Sequence, residues 1–148
     1  MNFDEEQIKK SNEVLEERLN SDRNDWMNKI HQLISNLKYI DKLAESQVLM
    51  LSYRQTLVDK YIEFKNLIYK RNSTWDVNFK NKYRELSVEY DLKLNSSEKA
   101  QFTKSYLASL NFQIKLLENH AAYYQESIKT IDNIAFAIKN RIRLEEDL

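Results

Sequence analysis

An all-α fold is predicted for this 148-residue chain, and three observations carry that expectation. The first is that the chain has no Gly and no Pro. Average usage, about 7% Gly and 5% Pro, would supply roughly ten of one and seven of the other. Tight hairpins draw on residues that tolerate positive φ, and here only Asn and Asp can supply them. Sandwiches, barrels and doubly wound α/β sheets are therefore disfavoured. The second observation is helical periodicity sustained over two long stretches. The third is composition: 42% hydrophobic, 11% aromatic and 31% charged, too apolar and aromatic for a disordered chain.

The missing residues also narrow the chemistry. Without Gly, the loops of P-loop enzymes, kinases and dinucleotide-binding folds cannot be built. The chain has no Cys, so a disulfide framework, a thiolate zinc site and a cysteine nucleophile are excluded. No apolar run approaches the ~20 residues of a membrane span. The N-terminus is acidic rather than signal-like. A soluble, cytoplasmic protein with no membrane partner is expected.

Residues 1–21 read as a polar, acidic N-terminal segment. A helix over 2–19 would carry only a thin stripe of Phe3, Ile8, Leu15 and Leu19. Asn20, Ser21 and Asp22 are expected to interrupt it and to cap the next helix. Residues 22–148 read as a single helical domain. Its first long helix is predicted over 22–70. One seam runs Trp26, Ile30, Leu33, Leu37, Ile40, Ala44, Val48, Leu51. A second takes over as Met50, Tyr53, Leu57, Tyr61, Phe64, Ile68. This drift is how a helix passes from one packing partner to another.

Residues 71–96 read as the connector, opened by the breaker cluster Arg71-Asn72-Ser73-Thr74. Phe79, Tyr83, Leu86 and Tyr90 would suit a short helix. Leu86, Val88, Tyr90, Leu92 and Leu94 alternate as a strand would. A short helix plus extended chain is the expectation. Asn95-Ser96-Ser97-Glu98 then has the spacing of a capping box. A final helix over 97–145 carries the cleanest seam: Leu107, Leu110, Ile114, Leu117, Ala121, Tyr124, Ile128, Ile131, Ala135, Ile138, Ile142. The expected architecture is an extended helical hairpin or coiled coil of these two long helices, plus the short N-terminal one. The last turns are apolar nearly all round. Exposure there would leave a sticky patch, so oligomerisation is expected through Ile128, Ile131, Ile134, Ala135, Phe136, Ile138 and Ile142. A monomeric three- or four-helix bundle is the alternative.

Net charge is zero but unevenly spread. Residues 1–25 hold eight acids and four bases, whereas residues 26–84 hold eleven bases and five acids. The densest basic stretch contains Lys60, Lys65, Lys70, Arg71, Lys80, Lys82 and Arg84, interleaved with Tyr61, Phe64, Tyr69, Trp75, Phe79 and Tyr83. Such a mixture suits single-stranded nucleic acid. Cations neutralise phosphates with counterion release, and aromatic faces stack on unpaired bases. Tyr61, Phe64, Phe79 and Tyr83 also have helix spacing and suit a core. Lys139, Arg141 and Arg143 are explained by the macrodipole at a helix C-terminus. The only histidines, His31 and His120, lack metal-site spacing. No enzyme, metal or cofactor is indicated.

The segment Tyr123-Tyr124-Gln125-Glu126-Ser127-Ile128-Lys129-Thr130-Ile131-Asp132-Asn133-Ile134-Ala135-Phe136-Ala137-Ile138-Lys139-Asn140-Arg141-Ile142, with its Phe136-Ala137-Ile138-Lys139 pattern, resembles the closing helix of the UvsY family of bacteriophage recombination mediators. Asn95 to Glu98 falls where that family starts its last helix. Lys38-Tyr39-Ile40-Asp41-Lys42 is similar to an early stretch of the family, and Lys60-Tyr61-Ile62-Glu63-Phe64 to its basic, Tyr-rich segment. The family's Ser-Gly after that segment has no counterpart here. The resemblance implies a non-enzymatic accessory factor that binds single-stranded DNA as a ring-like homo-oligomer assembled through the C-terminal helix. It further implies help in loading a RecA-like recombinase onto DNA coated with single-strand-binding protein, within an infected bacterial cell. On that reading the DNA contacts fall on Lys60, Lys65, Tyr69, Lys70, Arg71, Trp75, Lys80, Lys82 and Arg84. A structural or adaptor coiled-coil protein without nucleic-acid binding is the competing expectation.

Overall fold

A computed structural model describes residues 4–90 and 93–147, with only the backbone of Tyr90. The fold is all-α. Helix α1 spans Glu5–Asn36, a 3-10 turn spans Ile40–Lys42, and α2 spans Leu43–Tyr90. Helix α3 spans Ser96–Tyr106 and α4 spans Ala108–Glu146. No described residue has a positive φ. The described turns are thus built without the left-handed positions that Gly usually fills.

The helix boundaries differ from the expected ones. Asn20, Ser21 and Asp22 do not interrupt the chain; α1 runs through them. Leu19 and Trp26, on either side, are both buried, and packing of that face holds the turn between them helical. The break comes instead inside the expected 22–70 helix, after Asn36. There the amides of Leu37, Lys38 and Tyr39 turn back to the carbonyls of Ile34, Ser35 and Asn36. Tyr39 is extended, with φ −117° and ψ 111°.

The expected connector at 71–96 is helix as far as Tyr90. The Thr74 hydroxyl donates to the Lys70 carbonyl at 3.1 Å, and the Asn78 amide donates to the Thr74 carbonyl at 2.8 Å. Polar side chains that could have competed with the helix are bonded back onto it. Leu86 is buried while Val88 is 81% exposed, so their apparent strand alternation is two faces of one helix. Phe3 and Leu92, and the side chain of Tyr90, lie outside the described residues.

The expected capping box is present: Asn95 Oδ1 accepts from the Glu98 amide at 2.8 Å, and the Asn95 amide donates to Glu98 Oε1 at 3.4 Å. The helix that this box starts is interrupted at Leu107, where φ is −96° and ψ is 12°. Bonds from Leu107 to Thr103 and from Asn111 to Leu107 carry the ladder across. Instead of two 49-residue helices, α2 has 48 residues and α4 has 39.

Contacts divide the chain into two compact units. The first comprises Met1–Glu17 and Lys65–Asn119, the second Arg18–Phe64 and His120–Leu148. The second is a three-helix arrangement. Trp26 meets Tyr53 edge-on at 5.7 Å, and Asn36 donates to Ser46 at 3.4 Å, so its α1 and α2 portions run antiparallel. Arg54 pairs with Asp132 and Phe64 meets Tyr124, so its α4 portion is antiparallel to α2. The core holds Trp26, Ile30, Leu33, Leu43, Met50, Leu57, Tyr124, Ile131, Ile134 and Ile138. Each large apolar side chain buried contributes about 1.5–3 kcal/mol.

The first unit is more polar inside. Ile68, Leu86, Leu107, Leu110, Ile114 and Leu117 are buried beside Asn12, Lys99, Thr103, Ser109 and Gln113. Asn12 donates to the Ser109 carbonyl at 2.9 Å, and Gln113 donates to Asn12 Oδ1 at 3.0 Å. These bonds satisfy groups that would otherwise be costly to bury.

Candidate nucleic-acid interface

All nine residues expected to contact DNA lie on α2, but helix geometry distributes them unequally. At about 100° per residue, Lys65, Tyr69, Lys80 and Arg84 fall within roughly 100° of arc, with Lys70 about 40° beyond it. All five are exposed, and Tyr69 is 75% exposed. From Lys65 to Arg84 the arc runs for about 28 Å along the helix. Asp76 is an exposed acid on the same arc. Tyr69 thus offers a ring to solvent among four cations.

The other candidates lie off this arc, and most of them are engaged in contacts within the chain. Lys60 belongs to the second unit and pairs with Glu63 at 3.6 Å. Arg71 is half-buried on another side of the helix. Trp75 is half-buried and stacked on Phe79, with centroids 5.0 Å apart and planes 22° apart. Phe79 in turn stacks on Tyr83 at 6.1 Å and 17°. The spacing of four places successive rings one turn apart, so three aromatics form a ladder along α2. Lys82 sits 4.5 Å over the Tyr106 ring and pairs with Glu85 at 3.3 Å.

Lys82 and Tyr106 also wall a cavity of about 840 Å³, together with Leu86, Leu94 and Phe102. Its size lies in the range of small-molecule pockets. No local pattern announces it, because its walls come from α2, the segment before α3, and α3 itself.

No sequence pattern marked a partly buried polar cluster in the second unit, in which His120 and Tyr124 are buried and Asp22 is half-buried. Asp22 Oδ2 lies 2.8 Å from His120 Nε2 and accepts from the Tyr124 hydroxyl at 2.6 Å. Phe64 lies against both rings, 5.2 Å from each. Burial lowers the His120 pKa, and the bond to Asp22 only partly offsets it. Burial first, and then the same aspartate, raise the Tyr124 pKa. His120 is wholly buried, which suits packing and not contact with a substrate. The spacing between Asp22 and His120 spans most of the chain, so no short motif could mark the pair. Among the described residues no group of three or more His, Cys, Asp or Glu could hold a metal. No described helix is long and apolar enough to cross a membrane.

The residues expected to join subunits are placed mostly inside. Ile131, Ile134 and Ile138 are core, and Ile128, Ala135 and Ile142 pack against it. Only Phe136, 67% exposed, remains on the surface. The chain's own α1 and α2 cover most of the apolar C-terminal turns. Comparison with protein families, with curated proteins and with solved structures finds no match for this chain.

Proposed function

We propose that this chain is a non-enzymatic, single-stranded-DNA-binding protein acting as a recombination mediator. The observation that carries the binding reading is the exposed arc of Lys65, Tyr69, Lys80 and Arg84 on one helix. Cations at these positions suit neighbouring phosphates, and Tyr69 suits stacking on an unpaired base, worth about 1–3 kcal/mol. The mediator role, with a RecA-like recombinase, single-strand-binding protein and further copies of the chain as partners, draws on the resemblance of residues 123–142 to the UvsY family.

Fluorescence anisotropy with a labelled single-stranded oligonucleotide, at low and moderate salt, tests the binding. The expected outcome is micromolar affinity that weakens as salt rises. Lys65→Glu with Lys80→Glu should weaken it by roughly tenfold or more and flatten the salt slope. Absence of binding by micromolar protein at low salt would overturn the proposal. A second reading, the structural or adaptor coiled-coil protein, is favoured by Val48, Leu51 and Ile62, which stand exposed on α2. It expects indifference to DNA and capture of a partner helix.

A further inference from the structure

Helix α2 carries two apolar stripes in the second unit, and the fold uses one. Met50 and Leu57 are buried, with Tyr53, Tyr61 and Phe64 packed against the core. On the other side, Val48, Leu51, Gln55, Val58 and Ile62 succeed one another at spacings of three and four. Val48 and Leu51 are each 69% exposed and Ile62 is 53% exposed, while Val58 is half-buried. That spacing is a heptad seam, with Val48, Gln55 and Ile62 at a and Leu51 and Val58 at d.

We propose that this seam is the site where a second copy of the chain docks, α2 against α2 in parallel. Three features select that occupant. Val48 and Ile62 at a and Leu51 at the first d are the choices that favour two parallel strands, with Val58 at the second d completing the apolar seam. Gln55, a lone polar residue at an a position, would fix the register, as buried polar residues at such sites do. The flanks are oppositely charged, with Arg54 at g and Asp59 at the next e. In a parallel pair each g side chain faces the partner's following e, so Arg54 of one copy meets Asp59 of the other, twice over. An antiparallel pair sets like flanks together and loses both matches. The two groups are already held on their flanks: Arg54 by Asp132, at 2.8 Å, and Asp59 by the Gln55 amide, at 2.9 Å. The seam spans little more than two heptads, so the self-association is weak and concentration-dependent. It does not rest on the DNA reading.

Light scattering without DNA, across micromolar to submillimolar protein, should show a monomer passing to a dimer. Leu51→Glu should abolish the transition while leaving helical circular dichroism unchanged, since Leu51 is exposed in the single chain. The native chain has no Cys, so Leu51→Cys under mild oxidation should give one covalent dimer. Arg54→Asp and Asp59→Arg should each be monomeric alone and dimeric when mixed. A chain that stays monomeric throughout would overturn the inference. So would a Leu51→Glu variant that still dimerises. Cross-linking of Leu51→Cys to Ile62→Cys, without self-linking of Leu51→Cys, would overturn it by showing an antiparallel pair.

Discussion

The two units of the chain have cores of different character. In the second, Trp26, Leu33, Leu57, Ile131 and Ile138 make a mainly apolar interior, and its polar groups are the bonded Asn36 and Ser46, Ser127, and the cluster of Asp22, His120 and Tyr124. In the first, amide and hydroxyl groups of Asn12, Ser109, Gln113 and Thr103 are buried among the leucines. Apolar burial is non-directional and stabilises in proportion to area. A buried amide adds little net stability but is costly to leave unpaired. The second unit is thus built for stability. The first is tied by specific bonds, and it carries the exposed basic arc and the large cavity.

The contrast can be broken most severely in the apolar core. Ile131→Ala, at a position with no exposure, should cost about 2–5 kcal/mol through lost transfer energy and a residual cavity. Urea unfolding monitored by circular dichroism would measure it. A loss below that range would show that the core relaxes around the gap. In the first unit, Gln113→Ala strands the Asn12 carboxamide oxygen, whose bond measures 3.0 Å. The expected cost is about 1–3 kcal/mol, and Gln113→Leu should not restore it while Asn12 keeps its unpaired group. The smallest effect sharpens the contrast through pH. His120 has a depressed pKa in the fold, so the unfolded chain binds the proton more readily. Its contribution is complete above the unfolded value of about 6.5 and is lost as pH falls toward the folded one. The thermal midpoint should therefore decline from pH 7 to 5, and His120→Gln should flatten that part of the profile.

Much of the fold was legible in sequence, for identifiable reasons. The Asn95 cap could be read because its two bonds join residues only three apart. The buried side of α4 could be read because the run from Leu110 to Ile138 repeats at helical spacing. The first seam of the expected 22–70 helix misled: Trp26, Ile30 and Leu33 are buried, but Ile40, Val48 and Leu51 are exposed. The break after Asn36 resets the helical phase, so a seam continued across it points away from the core. For the candidate interface, proximity along the chain grouped nine residues. Helix phase then left Lys65, Tyr69, Lys80 and Arg84 together and turned Trp75 and Lys82 toward internal contacts.

Composition by itself determined that the chain is helical and which chemistries it lacks, because these depend on local propensity and on the presence or absence of reactive groups. Tertiary structure decided where the helices stop and which stripe of α2 is covered. With no Gly or Pro to punctuate it, the local preference for helix is nearly uniform along the chain. The breaks are then set by side chains far apart in sequence, as Leu33 and Leu43 meet Ile131 and Ile138 in one core.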